Sequence, residues 1–313
     1  MSLHVIVGAG AVGTATARLL RDQGCDVRVI TRSGSGPEGV EKVATDAADA
    51  ERLTALTRGA QTLYNCANPP YHRWATDWPP VAAALLGAAE RTGAVLVTLN
   101  NLYGYGPVDA PMTEDTPLAA TGLKGRIRNR MWADMLAAHE AGRARVTEAR
   151  ASDFFGPGPV GTSHLGEYFM PRLLAGKRPW IIQGDLDAPH SWTYVPDVAR
   201  TLVALAADER AWGRAWHVPT DRPVPLRTIA AQAARLAGVP AGEILVLPHW
   251  ALRAMGLAVP FIREFEEVRH QFTRPFVLDS AAAQEAFGLA PTPFEEGLAA
   301  HVEFWQRRQR AAA

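Results

Sequence analysis

The chain has 313 residues, and its 32 Lys and Arg balance its 32 Asp and Glu to a formal net charge of zero. That length holds one large or two modest domains with a proper core. The balance offers neither nucleic acid nor a membrane surface an attracting field. The longest apolar stretch, residues 250–262, carries Arg253 and Pro260 and is too short to span a bilayer. Cys25 and Cys66 each sit in a short apolar, strand-like pattern, which reads as buried thiols in a reducing compartment, a lone disulfide being the alternative. A strand pattern within four residues of Met1 leaves no room for a signal peptide. A soluble, cytoplasmic protein is expected.

The first element is the most informative. Val5-Ile6-Val7 runs into Gly8-Ala9-Gly10-Ala11-Val12-Gly13, and an amphipathic helix pattern follows directly. In such a G-x-G-x-x-G turn the first glycine permits the tight bend. The second lets the backbone approach a pyrophosphate, and the third lets helix and strand pack closely. The free N–H groups at the helix start then face the phosphate charge. Gly8, Gly10, Ala11, Val12 and Gly13 are therefore assigned to a dinucleotide.

A second strand, residues 27–30, ends at Thr31-Arg32-Ser33. An NAD site usually carries an acid here for the ribose 2′-hydroxyl. A guanidinium flanked by two hydroxyls suits a 2′-phosphate instead. Thr31, Arg32 and Ser33 thus point to NADP(H) in preference to NAD(H), which stays open. A third strand is expected over residues 40–46 and a helix over 47–58. A fourth strand from 61 empties at Ala67-Asn68, a fifth over 94–98 empties toward Asn100 and Asn101, and a helix over 81–91 lies between them. Ligands of open α/β sheets sit outside the carboxyl ends of the strands, so Ala67, Asn68 and Asn100 are expected to face the cofactor. The alternation of strand and helix predicts right-handed βαβ units: an α/β doubly wound parallel sheet with a smaller C-terminal substrate lobe. Residues 1–160 are expected to form the dinucleotide-binding domain, with 190–215 and about 273–287 packing back on it. Residues 161–189 and 216–313 go mainly to the lobe. Within the lobe, an apolar stripe at 261, 265, 268 and 272 reads as core packing.

Several segments in order resemble the extended and atypical short-chain dehydrogenase/reductase superfamily, the NAD-dependent epimerase/dehydratase type. They are Tyr64-Asn65-Cys66-Ala67-Asn68, Asn101 to Tyr105-Gly106, Glu114-Asp115-Thr116-Pro117, Arg150-Ala151-Ser152-Asp153-Phe154-Phe155-Gly156-Pro157, His190-Ser191-Trp192-Thr193-Tyr194-Val195-Pro196-Asp197, and Leu278-Asp279 through Pro291. The resemblance implies an adenine contact for Asp46, and it places Asp153, His190 and His217 toward the substrate. It also puts Asn101 where the family has its catalytic Ser or Thr; a register on Tyr103-Gly104 puts Leu99 there instead. This sequence departs from the family's usual G-x-x-G-x-x-G loop. It departs most where the Tyr-x-x-x-Lys pair belongs, because Lys124 and Arg128 stand there.

Lys124 and Arg128 share one helix face, and Arg126 and Arg130 add charge on a neighbouring face. Cations at a helix start oppose the helix dipole, which suggests an anionic partner. Arg128 cannot give up its proton, so Lys124 is expected to be the proton donor, with Tyr105 next in line. The nine histidines stand singly, with no metal-binding spacing. The expectation is an NADP(H)-dependent reductase or epimerase acting on a small, anionic carbonyl or carbinol substrate, with a homodimer left open. A non-catalytic NADP(H) sensor or scaffold is the alternative.

Overall fold

Burial runs on without alternation along the central strands, and successive side chains point to opposite faces, so one sheet is covered on both sides. The structure, a computed structural model, describes residues 2–158, 161, 163–182, 184–248, 250, 252, 254 and 266–312. In chain order the elements are β1 (Leu3–Val7), α1 (Ala11–Asp22), β2 (Asp26–Thr31), β3 (Glu41–Ala44), α2 (Ala50–Thr57), β4 (Ala60–Asn65), α3 (Trp74–Thr92), β5 (Val95–Asn101), α4 (Leu123–Glu140) and β6 (Val146–Ala151). Then follow β7 (Asp153–Phe155), α5 (Met170–Leu174), β8 (Trp180–Ile181), β9 (Trp192–Tyr194), α6 (Val195–Ala207), β10 (Ala215–His217), α7 (Leu226–Ala237) and β11 (Leu245–Val246). α8 (His270–Thr273), α9 (Ala281–Phe287) and α10 (Phe294–Ala312) complete the described chain.

Seven strands form one parallel sheet in the order β10-β6-β5-β4-β1-β2-β3. The chain winds outward from β1 through β2 and β3, then crosses to β4 and winds the other way. The switch point therefore lies between β1 and β4. Val5, Val7, Leu63 and Leu96 face a core beneath α2, α3 and α4. Ile6, Tyr64, Val95 and Val97 face the opposite core, beneath α1, α6 and α9. A third core, built on Phe169, Trp192, Ile229, Leu298 and Trp305, holds the smaller lobe together. No described helix is long and apolar enough to cross a membrane.

Two elements differ from the sequence expectation. Helix α3 starts at Trp74, not at 81, and carries Pro79 and Pro80 inside it. An interior proline costs about 3 kcal/mol. Trp74 and Trp78, one turn apart, are 1% and 0% exposed, and burying an indole of about 200 Å² is worth roughly 5 kcal/mol. Packing outweighs the local signal. Residues 215–217, read from 216 onward as part of the smaller lobe, are the seventh strand of the main sheet beside β6. A three-residue strand is too short for its period to show in sequence. The two cysteines are half-buried and unbridged, each just outside a strand. Of the apolar stripe, Val268 and Phe272 are buried; residues 261 and 265 lie outside the described residues.

Candidate active site

A cavity of about 340 Å³ opens at the carboxyl ends of β1, β4, β5 and β6, over the switch point. Gly10, Ala11 and Val12 form one side, with Cys66, Ala67, Asn68, Asn100 and Asn101 along the strand ends. Tyr71, Tyr103, Arg128 and Asp153 line it as well.

The three glycines of the first turn are held by three different constraints. Gly8 has φ +101°, and a Cβ there would lie 2.6 Å from the Cys66 carbonyl oxygen. A Cβ on Gly13 would run into the Gly8 carbonyl oxygen, so α1 seats on β1 only without a side chain there. A Cβ on Gly10 would meet nothing within 4 Å. The missing side chain at Gly10 is therefore space on the cavity side, not a packing need. Gly10 also caps α1 with no side-chain hydrogen bond, so the first amides of a twelve-residue helix keep their donors for a ligand. This open cradle fits a dinucleotide pyrophosphate.

Thr31, Arg32, Ser33 and Asp46 do not line this cavity; they sit at the neighbouring ends of β2 and β3. Thr31 Oγ1 donates to the Ser35 carbonyl at 3.0 Å, and Ser33 Oγ donates to Ser35 Oγ at 2.9 Å. Asp46 Oδ1 accepts the Ala48 N–H at 2.9 Å. Arg32 is exposed.

Away from the glycines the lining carries polar and titratable side chains. Tyr71 and Tyr103 place their hydroxyls 2.8 Å apart. Burial pushes both phenols above their ordinary range, and for Tyr103 the neighbouring Tyr71 and Asp153 push the same way. Helix α4 meets the turn at Tyr103–Tyr105 without intervening side chains: a Cβ on Gly125 would lie 2.6 Å from the Tyr103 carbonyl oxygen. Asn129 locks the contact by donating to the Gly104 and Leu118 carbonyls at 3.0 and 3.2 Å. One turn of helix away, the Arg128 guanidinium lies over the indoles of both Trp74 and Trp78, at 4.6 and 4.3 Å, in the corner where the two rings meet edge to face. Its Nη2 reaches Asn68 Oδ1 at 3.5 Å, while buried Nε and Nη1 have no partner among the described residues. Burial pulls the Arg128 pKa down to about 10, opposed by Glu148 and the two phenols. A guanidinium so placed is a fixed positive charge at the edge of the cavity.

Asp153 closes the site, its Oδ2 lying 2.9 Å from His190 Nε2. Burial alone would raise this carboxyl; the hydrogen bond and charge of His190 outweigh it and hold Asp153 below its ordinary range. His190 itself lines a small adjoining pocket with His164, Gln271 and Phe272.

Other expected site residues are elsewhere. Lys124 is 2% exposed and does not line the cavity. Its ammonium pairs with Glu267 at 3.4 Å, its backbone N–H donates to the same carboxylate at 2.6 Å, and it lies 5.8 Å from the ring of Tyr71. Arg130 pairs with Asp134 on the far side of α4. Tyr105 also misses the cavity: its hydroxyl accepts from Arg150 at 2.9 Å and donates to His217 Nε2 at 2.6 Å. His217 in turn donates through Nδ1 to the Asp279 carbonyl at 2.7 Å, beneath the sheet end and not toward the cavity. Asn100 joins the same buried network, donating to Glu148 Oε2 at 2.8 Å, while Glu148 Oε1 accepts from Arg150 at 2.8 Å. Asn101 lines the cavity and takes the Tyr103 N–H at 3.1 Å. Tyr71, His164, Gln271 and the two indoles were not singled out by sequence. Only Trp74-x-x-x-Trp78 left a readable trace, a pair at helical spacing.

The sequence profile of the NAD dependent epimerase/dehydratase family matches residues 4–218. No curated protein matches the chain. Among solved structures, UDP-glucose 4-epimerase of Thermotoga maritima, solved with UDP-glucose, superposes with a TM-score of 0.81 at 19% identity, over 99% of this chain and 100% of that one. dTDP-glucose 4,6-dehydratase of Bacillus anthracis, solved with NAD, gives 0.81 at 16% identity, over 99% and 98%. An epimerase of Methanothermobacter thermautotrophicus gives 0.83 at 18%, over 99% and 94%. At these identities the likeness is one of fold.

Proposed function

Because the chain belongs to the NAD dependent epimerase/dehydratase family, a family of enzymes using a nicotinamide dinucleotide, we propose that it is an oxidoreductase or epimerase. In this reading it prefers NADP(H) to NAD(H) and acts on an anionic carbonyl or carbinol substrate. The observation that carries the reading is the cavity at the switch point, with the open Gly10 cradle on one side and the Tyr71, Tyr103 and Arg128 wall on the other. When bound, the dinucleotide supplies the hydride acceptor or donor.

The protein's residues do the rest. The amides from Gly10 to Val12 hold the pyrophosphate, with Gly8 and Gly13 shaping the turn. Arg32, Thr31 and Ser33 take a 2′-phosphate, and Asp46 flanks the adenine. Ala67, Asn68, Asn100 and Asn101 bound the nicotinamide half. The two phenols, kept neutral by burial, donate a hydrogen bond to a substrate oxygen. Arg128 attracts the substrate's negative group as a charge that never leaves. The absence of Lys124 and Tyr105 from the cavity wall favours the second reading, a non-catalytic NADP(H)-binding protein.

Calorimetric titration of NADPH and NADH against the wild type and Arg32→Ala tests the proposal. A charge-assisted hydrogen bond is worth about 1.5–3 kcal/mol, so NADPH is expected to bind about ten- to a hundred-fold more tightly, a preference lost in Arg32→Ala. Equal affinities, or a preference that survives the alanine, overturn the assignment. Tight NADPH binding with no turnover of ketones, aldehydes or nucleotide sugars selects the non-catalytic reading.

A further inference from the structure

The position of the family's usual tyrosine holds Lys124, which is tied to Glu267, and Tyr105 is tied to Arg150 and His217. Hydrogen-bond partners of the buried histidines show where a proton is held instead.

His190 has both ring nitrogens engaged, Nδ1 at 3.1 Å from the Gln271 carbonyl oxygen and Nε2 at 2.9 Å from Asp153 Oδ2. A carbonyl and a carboxylate only accept, and a neutral imidazole carries one N–H. Two other histidines also engage both nitrogens, but each has a donor within reach. His217 Nε2 faces the Tyr105 hydroxyl, and His301 Nδ1, 2.8 Å from the Gly156 carbonyl oxygen, also lies 3.1 Å from the Gly156 N–H. A single N–H can serve either ring. At His190 it cannot: the chain from Gln271 through His190 to Asp153 needs one hydrogen more than a neutral ring and a carboxylate provide.

We propose that the Asp153–His190 pair carries this extra proton and is the acid of the cavity, in place of the absent tyrosine. The proposal rests on the oxidoreductase or epimerase reading above. Asp153 lines the cavity, so it stands between the imidazole and any ligand. In the forward step the His190 Nε2–H bond breaks and leaves its electron pair on nitrogen as the proton passes to Asp153. Asp153 hands that same proton on to a lone pair of the substrate oxygen, forming the new O–H bond. A carboxylate and a neutral imidazole remain, and water restores the proton.

The surroundings suit this role. Phe272 and Phe276 lie nearly parallel to the His190 ring at 5.3 Å, and Trp192 is 4.5 Å away, so the ring is held in place. Charged and titratable groups facing the pair are His164, Tyr71 and Tyr103, with Arg128 across the cavity. Both phenols stay protonated and His164 stays neutral, so Asp153 supplies the only negative charge within this set, and it balances the extra proton.

Nitrogen-15 NMR of histidine-labelled protein at neutral pH reads the pair directly, with His190→Gln identifying the signals. Two protonated ring nitrogens are expected in the wild type, and one unprotonated nitrogen in Asp153→Asn. An unprotonated nitrogen at His190 in the wild type overturns the proposal. A second arm measures reduction of a panel of small aldehydes by NADPH. Asp153→Asn and His190→Gln are expected to lower kcat by about 10²-fold or more, the scale of losing a general acid, with NADPH affinity unchanged. Undiminished kcat, or a wild type that reduces none of the panel, overturns the acid role. NADPH titration of the same proteins separates the two failures, because absent NADPH binding removes the functional reading and leaves the NMR result standing.

Discussion

The hydroxyls of Tyr71 and Tyr103 lie 2.8 Å apart, one from the loop after β4 and the other from the turn after β5. One phenol donates to the other. Burial raises both, which keeps the folded state neutral where an unfolded chain ionises near its ordinary value of about 10. The sign follows: stability holds below pH 10 and falls as pH rises above it, because only the unfolded chain releases these protons. Thermal melts from pH 8 to 11 are expected to show this loss. A double Tyr71→Phe, Tyr103→Phe variant has a shallower decline, and an equally steep one removes the pair as its source.

The glycine turn separates folding from binding. Gly10→Val places its side chain in open space, so the melting temperature is expected to stay near wild type while dinucleotide affinity is lost. Gly13→Ala meets the Gly8 carbonyl and is expected to destabilise by about 1–3 kcal/mol. Denaturant melts alongside cofactor titration check both. A folded Gly10→Val protein with unchanged affinity contradicts the cradle.

Arg128 and Lys124 are expected to part company. Arg128 is a buried cation with two unpartnered nitrogens among the described residues. Its replacement in Arg128→Met relieves a desolvated charge, which is often neutral or stabilising. Melting temperature is therefore expected to hold or rise, with NADP(H) affinity reduced. Lys124→Met removes the cation beside Glu267, away from the cavity. A loss of about 1–3 kcal/mol is expected, with cofactor affinity unchanged. Melting and titration of the two variants read all four quantities, and a Lys124→Met protein that loses affinity but not stability reverses the assignment.

Acid sensitivity has a named source. Burial pulls the His164 pKa down to about 4, and the ring stacks 3.7 Å from Phe272. The folded state keeps His164 neutral while an unfolded chain protonates it below about 6.5. Stability from this group is intact above pH 6.5 and falls between 6.5 and about 4, where unfolding binds an extra proton. His164→Phe is expected to flatten that slope in melts over the same range. An unchanged slope assigns it to other groups.

The scaffold was readable because its signals are local: a glycine triplet after an apolar run, and strands whose apolar residues alternate or run on. The polar lining of the cavity was not, because it joins residues that no periodicity links. Tyr71 meets Tyr103 across 32 positions, and Asp153 meets His190 across 37. Lys124 and Tyr105 were reasonable expectations from spacing. Their partners, Glu267 and Arg150 with His217, lie at separations of 143, 45 and 112 residues, and those contacts turn them away.

One guanidinium, that of Arg128, lies over both indoles of Trp74 and Trp78, so a charge at the edge of the cavity acts on the emission of both tryptophans. Whatever neutralises or displaces Arg128 changes the electric field on both rings together. Ligand arrival is therefore expected to register as a shift in intrinsic fluorescence without any label, a built-in optical gauge of the site. Trp74→Phe and Trp78→Phe apportion that signal between the two rings.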